Sequence, residues 1–212
     1  MAAPVCAAGA TVAPFRAVRG PRALATMTEF EVRESLRSVL LSSAPGIAEA
    51  VYEFWVPQSN ERADVAVIDG TIDGFEIKTE RDTLKRLPRQ ADAYGRVFDR
   101  CHAVLAYRHV DRALEILPPW WGVQVIGDGL SFSTLRRAKP NDAVDPETLV
   151  RLLWRDDVYG ALCDLGELPD PRAGRFRLWE MLLAVLDVEG LKRVVRDALL
   201  VRRAGNVRAV VT

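Results

Sequence analysis

Apolar residues recur at helical spacing in TEFEVRESLRSVLLSS, where Phe30, Val32, Leu36, Val39 and Leu40 mark one face. Thr28 and Glu31 stand in the capping-box arrangement ahead of that face, and Pro45-Gly46 ends the segment. The period then changes. AVYEFWV (50–56), RADVAVI (62–68) and DGFEIK (73–78) are short β-prone runs parted by Asp-Gly turn signals, which predicts a three-stranded meander. Pro88 opens a second helix, and RQADAYGRVFDR continues it with Tyr94, Val97 and Phe98 on the buried side. HAVLAYR (102–108) reads as a buried strand. A short helix over 110–116, the LPPWWG turn and strands at 123–126 and near 130–135 complete an α/β region. From Asp145 onward only helical spacing remains. Asp145 caps, Pro146 takes the first position, and Leu149, Leu152, Leu153, Val158 and Leu162 form one stripe before two further amphipathic segments.

This pattern divides the chain into an α/β core over 27–140 and a helical region over 145–212. Residues 1–26 contain Arg16, Arg19 and Arg22, no acid and much Ala, Val, Gly and Pro, the composition of an extension outside the fold. Setting it aside reduces 29 basic residues to 26 against 29 acidic ones, a net charge of −3, so global charge lends nothing to nucleic-acid binding. The 212 residues are 49% hydrophobic and 27% charged, which suits a soluble protein, and no apolar run is long enough for a membrane span. Cys6, Cys101 and Cys163 are odd in number and far apart, against both a disulfide framework and a zinc knuckle. A reducing, cytoplasmic compartment is expected. His102, at the start of an apolar strand, reads as structural.

The chemistry concentrates in DGFEIKTE. Alternation along a strand puts Glu76 and Lys78 on one face and Phe75 and Ile77 on the other. Asp64 lies one strand earlier, and parity decides whether the two acids meet. A two-residue Asp69-Gly70 turn would pair Asp64 with Phe75. An odd loop centred on Gly70 pairs Ile68 with Ile72 and Asp64 with Glu76, and a bulge at Gly74 would make the same correction. One of these two is expected. Converging carboxylates repel, so such a site calls for a hard divalent cation, Mg2+ or Mn2+, held by Asp64, Glu76 and the Ile77 backbone, with Lys78 beside the attacking water.

Asp64, Glu76-Ile77-Lys78 and Gln90-x-x-x-Tyr94, in the order α-β-β-β-α-β, resemble the PD-(D/E)XK nuclease superfamily and its RecB-like Q-x-x-x-Y helix motif. With WWGV and LLWRDDVYGAL the likeness extends to a small bacterial family within it, from about Thr28 to the C-terminus. Ala63 replaces the motif's proline. The resemblance implies a restriction-endonuclease-like core with a helical C-terminal extension and metal-dependent hydrolysis of phosphodiesters, without supplying a substrate; the expectation is a DNA nuclease in repair or in defence against foreign DNA, with RNA left open. It makes Asp64, Glu76, Lys78, Gln90 and Tyr94 the catalytic set. A further acid is expected from Glu31, Glu34 or Glu53, and Glu53 is favoured because alternation turns it outward one strand from Asp64. Arg62, Arg81, Arg86 and Arg89 are expected to contact substrate phosphates. Trp120 and Trp121, after Pro118-Pro119, read as packing residues. The competing expectations are a non-cleaving nucleic-acid-binding module on the same fold, and a protein-interaction module whose C-terminal helices meet a partner or a second copy.

Overall fold

The computed structural model describes residues 27–43 and 49–209. The expected extension over 1–26, Cys6 and the Pro45-Gly46 break lie outside the described residues. Helix α1 (Glu29–Ser43) leads into strands β1 (Glu49–Trp55), β2 (Arg62–Asp69) and β3 (Thr71–Lys78), then α2 (Leu87–Gly95), β4 (Arg100–Leu105), α3 (Val110–Ile116), β5 (Gly122–Ile126) and β6 (Phe132–Arg136). Four helices follow: α4 (Pro146–Leu149), α5 (Arg155–Asp164), α6 (Arg175–Val185) and α7 (Val188–Ala209). No helix among the described residues is long and apolar enough to cross a membrane.

The protein is therefore a mixed α/β fold on a six-stranded sheet of order β1-β2-β3-β4-β5-β6. The first three strands are antiparallel, β4 and β5 run parallel to β3, and β6 returns antiparallel. The direction changes because short turns can join only antiparallel neighbours, whereas α2 and α3 carry the chain back for the parallel ones. One face packs Val65, Phe75, Ile77, Val104 and Ile126 under Val32 and Leu36 of α1. The other supports a larger core that runs without interruption from Ala66, Tyr94 and Phe98 to Leu153, Leu162, Leu178, Leu182 and Val195. The C-terminal helices thus complete the core beneath the sheet.

The β2–β3 register settles the parity question. Ile68 pairs with Ile72 and Asp69 with Thr71, leaving Gly70 alone at the tip with φ +62°. An L side chain adopts that conformation at a cost, which is why glycine stands there. Gly74 makes no bulge. Its role is close approach, since a Cβ there would lie 2.6 Å from the Phe98 ring.

Two expectations need correction. Helix α2 ends at Gly95, and the amides of Val97 and Phe98 turn back onto the Tyr94 carbonyl, which brings Phe98 across Gly74 instead of along the helix. The stripe over 146–162 is not one helix. Leu153 is extended, and the Trp154 amide donates to the Asp157 carboxylate, so a new helix starts at Arg155. The Glu76/Lys78 face is buried: Glu76 is 1% and Lys78 8% exposed, because α2 lies over them.

Candidate active site

The centre forms where β2 and β3 part. Their pairing is regular up to Val65↔Phe75, and past it the Asp64 carboxylate, instead of the next strand residue, accepts the Ile77 N–H at 2.6 Å. On β3, Glu76 is held on both oxygens. Its Oε1 accepts from Lys78 Nζ and from Gln90 Nε2, each at 2.6 Å, and its Oε2 lies 2.5 Å from the Tyr94 hydroxyl. The Tyr94 oxygen is also 2.6 Å from the Arg62 carbonyl, so one phenolic proton faces two acceptors. Gln90 and Tyr94 reach the same carboxylate because four residues along a helix is about one turn. The Gln90 carbonyl oxygen is buried and unpartnered among the described residues.

The electrostatics of the site strain against its burial. Desolvation, then the nearby Glu76 charge, push the Asp64 carboxyl up to about 8, with the Ile77 N–H and Lys78 pulling the other way. Burial also raises Glu76, although Lys78, Tyr94 and Gln90 all favour its ionised form. Burial and the Glu76 carboxylate keep the Tyr94 phenol protonated.

The favoured additional acid, Glu53, lies beside Asp64. Tyr52 pairs with Val65 and Phe54 with Ala63, which places Glu53 across from Asp64. Glu53 has φ +50°, a left-handed conformation that costs a non-glycine residue about 1 kcal/mol or more. This step lets Val51, Phe54 and Val56 reach one core, a spacing that strict alternation forbids. Glu29 joins them: carboxylate oxygens of Glu29, Glu53 and Asp64 lie within 4.8 Å of one another. Arg33 spans the group, bonding Glu29 and, at 3.0 Å, Glu53. Sequence reasoning missed Glu29 and Arg33, although their i,i+4 spacing on α1 marks a shared face. The alternatives are otherwise engaged. Glu31 closes the capping box with Thr28, and Glu34 accepts from the Tyr52 hydroxyl at 2.5 Å.

The expected substrate arginines divide. Arg86 and Arg89 both grip Glu61, at 2.6 and 2.5 Å, a carboxylate with no exposure. Burial opposes the Glu61 charge, but the two guanidiniums outweigh it and hold its pKa below the ordinary range. Their first task is therefore to neutralise Glu61, a correction to a purely phosphate-facing role, and their side chains stay 58% and 68% exposed. Arg62 and Arg81 are exposed and make no ion pair among the described residues. Trp121 is buried and stacks on Tyr94 at 5.7 Å, as its packing role requires. The end of β3 is tied down beyond Lys78: the Thr79 carbonyl accepts from the buried His109 ring at 3.0 Å, the Thr79 amide and hydroxyl donate to Asp82, and the Lys78 carbonyl accepts the Ala106 N–H.

Fold and site together define a mixed α/β protein with an acid-rich, largely buried polar centre at the splayed ends of two strands. The chain belongs to the bacteriophage P4 protein cII family, whose model matches residues 25–208. Protein cII of Enterobacteria phage P4 is 37% identical over 67 residues, which make up 32% of this chain and 24% of that protein, so the match spans about a quarter of the relative's length. Among solved structures, a protein of unknown function from Silicibacter pomeroyi is 22% identical with a TM-score of 0.37, over 60% of this chain and 83% of the other.

Proposed function

We propose that the protein is a metal-dependent nuclease of the PD-(D/E)XK type, acting on phosphodiester bonds of DNA. The observation that carries the reading is the convergence on one carboxylate, Glu76, of Lys78, Gln90 and Tyr94, with Asp64 alongside through the Ile77 amide. Residues drawn from three separate elements meet in the combination that the sequence motif requires. The order α1-β1-β2-β3-α2-β4, with β4 parallel to β3, supports a nuclease-like core.

The donor set fits a hard divalent cation. Glu29, Glu53, Asp64 and Glu76 supply four carboxylates against two cations, Arg33 and Lys78, and the two uncompensated charges match one Mg2+ or Mn2+. Burial first, then the Glu76 and Glu29 charges, raise the Asp64 pKa, which a bound cation would offset. Asp64, with Glu29 and Glu53 whose oxygens lie within 4.8 Å of it and of each other, would hold the ion, and Glu76, bonded by Lys78, Gln90 and Tyr94, would join them as the motif implies. When bound, it supplies Lewis acidity and lowers the pKa of a water. Ile77 fixes the Asp64 carboxylate through its N–H. Lys78, fixed by Glu76, places an ammonium where charge grows on a phosphate oxygen, a term worth several kcal/mol in a desolvated site. Gln90 and Tyr94 orient Glu76. Arg62 and Arg81, with the outer N–H groups of Arg86 and Arg89, provide cations for the flanking phosphates.

The test is cleavage of single-stranded, duplex and branched DNA with Mg2+ or Mn2+, comparing wild type with Lys78→Ala and Glu76→Ala. The expected outcome is cleavage by wild type alone and its loss in EDTA. Equal behaviour of wild type and variants, or no cleavage of any substrate, would sink the assignment.

A further inference from the structure

Beyond the part of the sheet that α1 covers, on the face that carries Phe75, β3 to β6 present a polar concavity of ≈ 370 Å³. Its lining includes Arg100, His102, Gln124, Thr134, Arg136 and Arg137, with Asp73 at its base. The cavity belongs to the start of β3 and β4, whereas Glu76 and Lys78 stand near the end of β3.

The hydrogen-bond ledger of the cavity is unbalanced. Asp73 is already satisfied: it accepts from Arg100 Nε at 3.0 and 3.2 Å and from the Thr71 hydroxyl at 2.9 Å, and burial is outweighed by the adjacent His102 ring, Arg100 and Thr71, which hold its pKa below the ordinary carboxylate range. Arg100 gives a further N–H to Thr71 and keeps one amino group unspent. Arg136 has no carboxylate partner among the described residues. It donates Nε to the Trp121 carbonyl at 2.7 Å and Nη2 to the Pro118 carbonyl at 3.1 Å, which aims the guanidinium and leaves Nη1 over. Arg137 is exposed and makes no ion pair among the described residues. The His102 ring is stacked on Phe75 at 4.4 Å, and its Nε2 is buried without a partner, 3.7 Å from Asp73. Gly122 permits this placement, since a Cβ there would meet His102 Nδ1 at 2.8 Å. Three guanidiniums against one spent carboxylate leave a donor-rich hollow with surplus positive charge.

We infer that this cavity binds the phosphate group of a small molecule, either a phosphate ester of mononucleotide size or the free anion. Guanidinium forks match the oxygens of phosphate in pairs, and the volume lies within the range of small-ligand sites. The inference is independent of the nuclease reading. It needs no divalent cation and uses none of the residues around Glu76.

The full chain in EDTA is titrated calorimetrically with inorganic phosphate and with a 2′-deoxynucleoside 5′-monophosphate, against chloride at equal ionic strength. Saturable binding is expected, weaker by about tenfold or more in Arg137→Gln, a loss equivalent to about 1.4 kcal/mol. Arg137 is exposed, so that variant folds. Gln124→Leu, on the neighbouring strand β5, is expected to weaken binding as well. Tighter binding of the nucleotide assigns the ester, and equal affinity assigns the free anion. Absence of saturable binding up to about 10 mM, or affinity unchanged in both variants, overturns the inference. EDTA keeps the outcome separate from cleavage, since a failed cleavage assay leaves this titration unaffected.

Discussion

Asp64→Asn should stabilise the cation-free protein, and by an amount that grows with pH. Burial and the Glu76 charge raise the Asp64 carboxyl from 3.8 to about 8. A carboxyl whose pKa is higher in the folded than in the unfolded state contributes its stability in full below the unfolded value and loses it as pH climbs toward the folded one. Each unit within that window removes about 1.4 kcal/mol. Between about pH 4 and pH 7, the side chain ionises in the unfolded chain while it stays protonated in the fold, and this withdraws on the order of 4 kcal/mol, a large share of the ~5–15 kcal/mol that holds a domain together. Asparagine has no proton to lose, and its amide oxygen can still accept the Ile77 N–H. Urea unfolding in EDTA over this pH range checks the difference between the two proteins. The curves should nearly coincide at about pH 4 and separate by several kcal/mol at about pH 7 to 8. Added Mg2+ should then recover wild-type stability and leave the variant unmoved. A gap that stays flat or narrows with rising pH would refute the placement of Asp64 in a crowded, desolvated acid group.

Three further outcomes follow from the same geometry. Arg33→Met removes the cation between Glu29 and Glu53 and should lower stability in EDTA by about 1–3 kcal/mol, with Mg2+ restoring more of it than in wild type, as read by thermal denaturation. Tyr94→Phe deletes the hydroxyl shared by Glu76 and the Arg62 carbonyl and should cost about 1.5–3 kcal/mol in denaturant unfolding. Gly74→Ala forces a Cβ into the Phe98 ring and should lower the unfolding midpoint by about 1–3 kcal/mol, more than Gly70→Ala, where open space surrounds the tip and only the φ +62° strain of about 1 kcal/mol applies.

Much of the fold was legible because its signals are local. The Thr28–Glu31 capping box, the period-2 runs of β2 and β3 and the Asp145-Pro146 helix start each depend on residues a few positions apart. The site was legible for a related reason. Glu76, Lys78 and Asp64 sit on adjacent strands of one hairpin, and the register follows from loop parity. What failed did so where distant packing intervened. Phe98 leaves the helical path to lie over Gly74, and the Leu153–Trp154 break separates two stretches that share one apolar stripe. Arg86 and Arg89 read as free cations because nothing local revealed that Glu61 is buried between them and the α2 start.

The sequence by itself determined the element types, the meander, and the pairing of Ile68 with Ile72 across the Gly70 tip, since periodicity and a glycine-tipped turn constrain each within a short span of chain. Only the tertiary structure decided that Glu76 and Lys78 are buried, that Glu29 and Arg33 stand with Glu53 beside Asp64, and that three arginines surround a cavity with one spent acid. Burial and charge balance depend on elements far apart in the chain, α1 on one face of the sheet and α2 on the other, and no local pattern carries that information.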